Sequence, residues 1–193
     1  MFLAGATGVL GARLVPLLVG AGHEVVGLTR SPGKVGLLEG LGATAVVADV
    51  YDAEALAAAV AAARPDLVMH QLTDLPDDPA ELPGFTAANA RIRREGTRNL
   101  LGAAEAAGAR RFLAQSVAWT PQGDGGAAVA EHEAAVLAAG GVVLRYGQFY
   151  GPGTFYPDGP PAAPPRIHVD EAARRTMEVL DAPSGVVELV EDA

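Results

Sequence analysis

Met1-Phe2-Leu3-Ala4-Gly5-Ala6-Thr7-Gly8-Val9-Leu10-Gly11-Ala12-Arg13-Leu14 opens the chain and sets its reading. Phe2 to Ala4 is a short apolar run of the kind that fills a buried strand. Three glycines at intervals of three come next, and an apolar helical pattern follows them. A strand, a glycine turn and a helix start in that order make an anion seat, because free N–H groups and the helix dipole converge on one spot. Gly5 is expected to take the backbone angles of a tight turn. Gly8 has no Cβ and lets a diphosphate approach the main chain, while Gly11 lets the helix lie close on its strand. A dinucleotide held by the main chain of Gly5, Thr7, Gly8, Val9, Leu10 and Gly11 is the first expectation. An α/β domain with a glycine-rich turn and no ligand is the plain alternative.

The second strand, Glu24 to Thr29, ends where an acidic residue about 20 residues past the glycines would hold the ribose hydroxyls. Thr29-Arg30-Ser31 stands there instead. A guanidinium and two hydroxyls suit a 2′-phosphate through charge-assisted hydrogen bonds. The expected cofactor is therefore NADP rather than NAD.

Composition bounds the rest. The chain has 193 residues, half of them hydrophobic, enough for one domain with a substantial core. The expectation is a single NAD(P)-binding domain over 1–193. About 1–150 would form the cofactor core and about 151–193 a reduced substrate-side segment. Net charge is −9 and Lys34 is the one lysine, which argues against nucleic acid as a partner. The arginines of Arg91-Ile92-Arg93-Arg94 read as a solvated helix face. Without cysteine there is no disulfide framework and no thiolate site. No pair of the four histidines has a metal-ligand spacing, so no metal is expected. The apolar start reads as a strand rather than a signal peptide, and no apolar run reaches spanning length. A cytoplasmic protein with no membrane partner is the expectation.

Periodicity along the chain gives alternating strands and helices. A helix over Val9 to Val19 contains Pro16, which should kink it. A short helix reaches Leu41, and Thr44 to Ala48 is the third strand. Ala53 to Ala63 is a helix with Asp52 as N-cap, and Leu67 to Gln71 is the fourth strand. Asp74 to Gly84 reads as an acidic, proline-rich loop, and Thr86 to Ala107 as one long helix. Arg111 to Ser116 is a fifth strand. A glycine-rich gap over Gln122 to Gly126 precedes a helix from Ala127 to Ala139, and Val142 to Leu144 is a sixth strand. Pro157 to Pro165 is irregular. A helix over Asp170 to Leu180, with Asp170 as its cap, and a strand over Gly185 to Val190 close the chain. The fold class is α/β, a Rossmann-type doubly wound parallel sheet with helices on both faces.

These residues resemble a family, the extended short-chain dehydrogenases of the NAD-dependent epimerase/dehydratase group. Gly5-Ala6-Thr7-Gly8-Val9-Leu10-Gly11 is similar to its GxxGxxG turn. Asp49, followed by Val50, matches the acidic residue after strand three that faces the adenine. His70-Gln71-Leu72 sits where the H-L-A motif lines the cofactor. Asn89 to Leu101 is similar to its N-x-x-G-T-x-N-L-L helix. Leu144 to Gly153 resembles L-R-x-x-x-x-Y-G-P-G, and Ile167 to Ala173 resembles H-V-D-D-x-A. The resemblance implies cofactor contacts from Asp49, Val50, His70, Gln71, Leu72, Asn89, Ser116 and Tyr150.

The family's catalytic Tyr-x-x-x-Lys pair is missing. The resemblance puts those two positions near Gly125 and Val129, and the family's alcohol at Val117, with Ser116 one place earlier. A shift of one residue reverses a side chain's face in a strand. Ser116, Tyr150 and His132 are the candidate substitutes for catalysis. The segments Trp119–Glu131 and Thr154–Ile167 are short against the family. One reading is an oxidoreductase acting by hydride transfer on a small carbonyl or sugar-like substrate. The other is a non-catalytic NADP-binding sensor or partner subunit. A methyltransferase on a similar fold is weaker, because Arg30 stands where such a site wants a carboxylate. The resemblance also implies a homodimer through helices 86–107 and 127–139.

Overall fold

Alternation along the first strand sets up the layers. In β1 (Phe2–Ala4), Phe2 and Ala4 face one side of the sheet and Leu3 the other, as successive strand side chains do. The computed structural model describes residues 1–76 and 78–191. It builds α1 (Gly11–Gly20), β2 (Val26–Thr29), α2 (Val35–Gly40), β3 (Thr44–Val47), α3 (Ala53–Ala63) and β4 (Leu67–His70) in the first half. The second half adds α4 (Thr86–Arg91), α5 (Thr97–Ala106), β5 (Arg111–Val117), α6 (Gly123–Ala138) and β6 (Val142–Tyr146). Then come β7 (Gln148–Tyr150), β8 (Arg166–His168), α7 (Val169–Glu178) and β9 (Gly185–Leu189).

Seven strands pair in the order β3-β2-β1-β4-β5-β6-β9, every pair parallel. One core holds Leu3, Met69, Leu113 and Leu144 of the sheet against Leu14 and Leu18 of α1 and Ala172 of α7. The other holds Phe2, Val68 and Val143 against Leu56 and Val60 of α3, Leu100 of α5 and Val136 of α6. The strand order reverses between β1 and β4, and the crevice at that switch point is where open α/β sheets bind ligands. This is the expected doubly wound α/β class.

Several elements depart from the sequence reading. Pro16 lies inside α1 as expected, whereas α1 starts at Gly11 rather than Val9; buried Leu14, Val15 and Leu18 anchor the helix on both sides of the lost bond. The long helix is interrupted by a π-turn over Ile92–Gly96 between α4 and α5. The glycine gap is the first turn of α6, where Asp124 favours the positive helix end and is clamped by Arg94 at 2.8 Å. The Asp74–Gly84 loop contains a 3-10 helix, Pro79–Phe85; its position 77 lies outside the described residues. Asp52 does cap α3, accepting from Ala55 N–H at 3.0 Å. Asp170 does not cap α7. His168 Nδ1 accepts from Asp170 N–H at 3.2 Å, which puts Asp170 in the first turn. β7 and β8, too short to show a period, pair as a separate parallel ribbon. The segment beyond 150 also supplies β9 to the main sheet and α7 to the core. Among the described residues no helix is long and apolar enough to cross a membrane.

Candidate cofactor and substrate cleft

The glycine turn is built for close approach. Gly5 has φ +90°, and a Cβ there would sit 2.5 Å from the Gln71 carbonyl oxygen. A Cβ on Gly11 would sit 2.1 Å from the Gly5 carbonyl oxygen. The turn thus presses β1 against β4 and α1 against the turn itself. Gly8 N–H donates to the Gly5 carbonyl at 3.0 Å, while the N–H groups of Thr7, Val9 and Leu10 find no main-chain acceptor among the described residues. Unpartnered amides at a helix start attract an anion.

Above this turn lies a cleft of about 660 Å³. Gly5, Thr7, Gly8, Val9, Thr29, Arg30, Ser31, Asp49, Val50, Gln71, Leu72, Asn89 and Ser116 border it. Four expected members do not. The Leu10 side chain is in the core and Gly11 lies beneath Gly5. The His70 ring turns inward to Thr97, and the Tyr150 hydroxyl donates to Glu191 Oε1 at 2.6 Å. Buried polar groups in the cleft wall want partners: the Gln71 amide nitrogen and oxygen and the Tyr51 hydroxyl have none among the described residues. Such orphans, with the free amides, fit a polar dinucleotide.

One end of the cleft is cationic. Arg30 projects with 69% of its side chain exposed and reaches Asp74 at 3.4 Å. Thr29 Oγ1 accepts from Ser31 N–H at 3.2 Å, which fixes the strand end. Lys34, in the 3-10 turn Pro32–Lys34, borders the same end. Asn89 Oδ1 accepts from Asp74 N–H at 3.3 Å and ties α4 to the loop after β4. Arg91 stacks 3.8 Å over the Tyr51 ring centre.

The catalytic candidates separate. Ser116 borders the cleft, but its hydroxyl donates to Glu133 Oε1 at 2.5 Å. Arg145 donates to the same carboxylate, Nε to Oε1 at 3.0 Å and Nη2 to Oε2 at 2.6 Å. Burial would raise the Glu133 carboxyl, yet the hydrogen bonds from Arg145 and Ser116 outweigh it and hold it below its usual range. His132 is 1% exposed and is not among the residues bordering the cleft; it lies among Thr97 (2.6 Å), the Gln115 carbonyl (3.0 Å) and the edge of His70. Burial, then the charge of Arg93, lower its pKa to about 4. The Glu191 carboxylate beside Tyr150 raises that phenol, so it is a poorer acid still. The structure therefore brings Ser116 to the cleft and leaves His132 and Tyr150 away from it.

Arg93 departs most from the sequence reading. Instead of lying on a solvated face it is 5% exposed and borders both this cleft and an adjoining cavity of about 300 Å³. A spacing signal was available: the resembling motif puts Asn three residues before Gly, and that position here is Arg93, with Asn89 a turn earlier. Lys34, Tyr51 and Trp119 also border the cleft without having been singled out. Among the described residues no group of acids and histidines is placed to hold a metal.

Comparison with known proteins agrees with this geometry. The chain matches the NAD(P)H-binding family over residues 5–142. A 3-diazoavenalumate denitrifying reductase from Streptomyces sp is 38% identical over 226 residues, 94% of this chain and 72% of that protein. That alignment is longer than the 193-residue chain, so the relative carries insertions that this chain lacks. A 3-beta-hydroxysteroid dehydrogenase from Mycolicibacterium neoaurum is 32% identical over 115 residues, 58% of this chain and 30% of that one. The UDP-glucose 4-epimerase of Thermotoga maritima superposes with a TM-score of 0.81 at 19% identity, covering 98% of this chain and 76% of that one. The Thermus thermophilus UDP-glucose 4-epimerase in complex with NAD gives 0.81 at 19% identity, over 100% and 78%. At these identities the superpositions establish the fold.

Proposed function

The chain belongs to the NAD(P)H-binding family, and from that premise we propose that it is a reductase passing hydride to a small electrophilic substrate. A bound dihydronicotinamide supplies two electrons and a hydrogen nucleus as hydride. The free amides of the glycine turn, those of Thr7, Val9 and Leu10, hold the diphosphate. Thr29, Arg30, Ser31 and Lys34 take a 2′-phosphate, which favours NADP. Asp49 and Val50 meet the adenine side, while Gln71, Leu72 and Asn89 line the floor.

The observation that carries this reading is a cofactor cleft with its glycine turn intact, beside an α6 that lacks the Tyr-x-x-x-Lys pair. Reducing an ordinary ketone leaves an alkoxide that needs a proton in the transition state. Hydride addition to a more electron-poor acceptor leaves a less basic anion, which can take its proton from solvent water after the transfer rather than from a side chain during it. A relative named a denitrifying reductase supports such an acceptor. Ser116 acts as a positioning residue, holding the end of β5 through Glu133. The test is loss of NADPH absorbance with a panel of enones, activated aldehydes and aryl diazo compounds. Turnover is expected, and His132→Ala and Tyr150→Phe should stay within about twofold of the parent, because neither group touches the cleft. Firm NADPH binding with no turnover on any acceptor would replace the proposal with a cofactor sensor, which the missing Tyr–Lys pair also favours.

Exposed alanines 127, 130, 134 and 138 line the outer side of α6 and support a homodimer through α4, α5 and α6. Light scattering should give twice the 19.6 kDa chain mass; the mass of a single chain would refute that pairing.

A further inference from the structure

Arg93 has no role in the cofactor cleft as described above. It stands in the π-turn Ile92–Gly96, a deviation that recurs at functional sites. Its neighbours in sequence have partners at the surface: Arg91 holds Glu95 at 2.7 Å, and Arg94 holds Glu131 at 2.7 Å and Asp124. Arg93 is 5% exposed, and among the described residues nothing forms a salt bridge or side-chain hydrogen bond with it. The nearby acid is Glu133, whose two oxygens already serve Ser116 and Arg145. Burial lowers the Arg93 pKa. A buried cation without a hydrogen-bonded anion is unfavourable unless something else supplies one.

The surroundings say what that anion belongs to. The diphosphate seat lies over β1, whereas Arg93 shares its walls with Val117 at the end of β5 and Trp119 just past it. The adjoining cavity is bordered by Leu75, Leu82, Phe85 and Val129, and among the described residues Arg93 is the one charged side chain on it. We propose that Arg93 seats the carboxylate of an apolar-bodied substrate, whose hydrocarbon part lies in the side cavity against Trp119. The word substrate rests on the reductase reading; the binding of the carboxylate does not.

Trp119 is the single tryptophan of the chain and stands on both cavities, so its fluorescence reports occupancy. The probes are 3-phenylpropanoate and its neutral amide, titrated into the full chain saturated with NADP. The acid should bind at least about tenfold tighter than the amide, as expected when a buried charged hydrogen bond is lost. Arg93→Gln should erase that preference, and Arg93→Lys should keep part of it. Equal binding of acid and amide, no response to the acid at millimolar concentration, or a preference surviving in folded Arg93→Gln would each overturn the proposal. If circular dichroism shows that Arg93→Gln does not fold, the acid-to-amide ratio of the parent chain and of Arg93→Lys decides. Acid-selective binding without hydride turnover on any acceptor would sink the reductase reading and leave the anion seat standing. Turnover of neutral acceptors with no preference for the acid would do the reverse.

Discussion

His132 Nε2 lies 3.0 Å from the Gln115 carbonyl and must donate to it, which leaves Nδ1 as an acceptor. The Thr97 hydroxyl then donates to that nitrogen, and its oxygen accepts from His70 Nε2 at 3.1 Å. His70 Nδ1 accepts from Leu72 N–H at 3.2 Å. This one-way chain requires both rings neutral and ties α5, α6 and the end of β4 together. Burial, then His132, then Arg93 hold His70 well below the ordinary histidine value. In the unfolded chain both rings titrate near ~6.5. Between that value and the folded value of about 4 for His132, the unfolded state binds more protons, so stability falls as pH falls. It should be complete above the unfolded pKa, and His132 alone should withdraw on the order of 3 kcal/mol by the bottom of the window. Urea midpoints at several pH values read this directly. His132→Asn should be less stable at neutral pH but titrate more shallowly; an unchanged slope would refute the neutral pair. Arg30 makes a different prediction. It is exposed, so solvent screens it, and Arg30→Ala should weaken NADPH about tenfold while leaving NADH within about twofold. Equal losses for the two cofactors, read by fluorescence titration, would remove Arg30 from the 2′-phosphate site.

Arg13 shows how elements, rather than single side chains, shape the cleft. From the first turns of α1 its Nη1 donates to the Val9 carbonyl at 2.8 Å and Nη2 to the Pro152 carbonyl at 2.6 Å. Its Nε donates to Asp170 of α7 at 2.5 Å. One guanidinium thereby pins the glycine turn, the loop after β7 and the start of α7. Arg13→Met should weaken NADH and NADPH alike, by about tenfold for a lost set of charge-assisted bonds, where Arg30→Ala separates them. A loss confined to NADPH would contradict the clip. The Asp52 cap offers a calibration, since Asp52→Ala should cost about 1 kcal/mol by urea denaturation with cofactor affinity unchanged. Elements with a full period were legible in the sequence. The alanine-rich α3 matched residue for residue, because its cap and its apolar spacing agree. The π-turn was not legible, since inserting one residue into a helix leaves composition and period almost intact. Neither was the start of α6, where three glycines, each a poor helix former, are held by a cross-element clamp from Arg94. The inward aim of Arg93 followed from the first of these gaps, and the site was misread there rather than at the glycines.

At the scale of the molecule, the cleft is where the two halves of the sheet meet. Gln71 N–H donates to the Ala4 carbonyl at 2.8 Å, which joins β4 to β1 at the reversal of strand order. The cleft's walls come from β2 and the turn after β3 on one side, the end of β5 on the other, and residues 153–156, with Gly153 close to Val9. This arrangement could be read from the order of motifs, since alternating strands and helices with a glycine turn after the first strand leave few topologies. The β7–β8 ribbon could not, because pairing at long range leaves no local pattern in three-residue strands. A ligand spanning that cleft touches elements from both halves and has no site in the unfolded chain, so binding must raise global stability. At about 100 times its dissociation constant NADPH should add ~2.7 kcal/mol. For a chain of this length that is a rise in Tm of roughly 5–10 °C, in one cooperative transition. NADH at the same concentration should raise it less, by the margin that Arg30 supplies. Differential scanning fluorimetry of the parent and Arg30→Ala chains measures both. A single transition that neither nucleotide moves would show that the two halves close on something other than a dinucleotide.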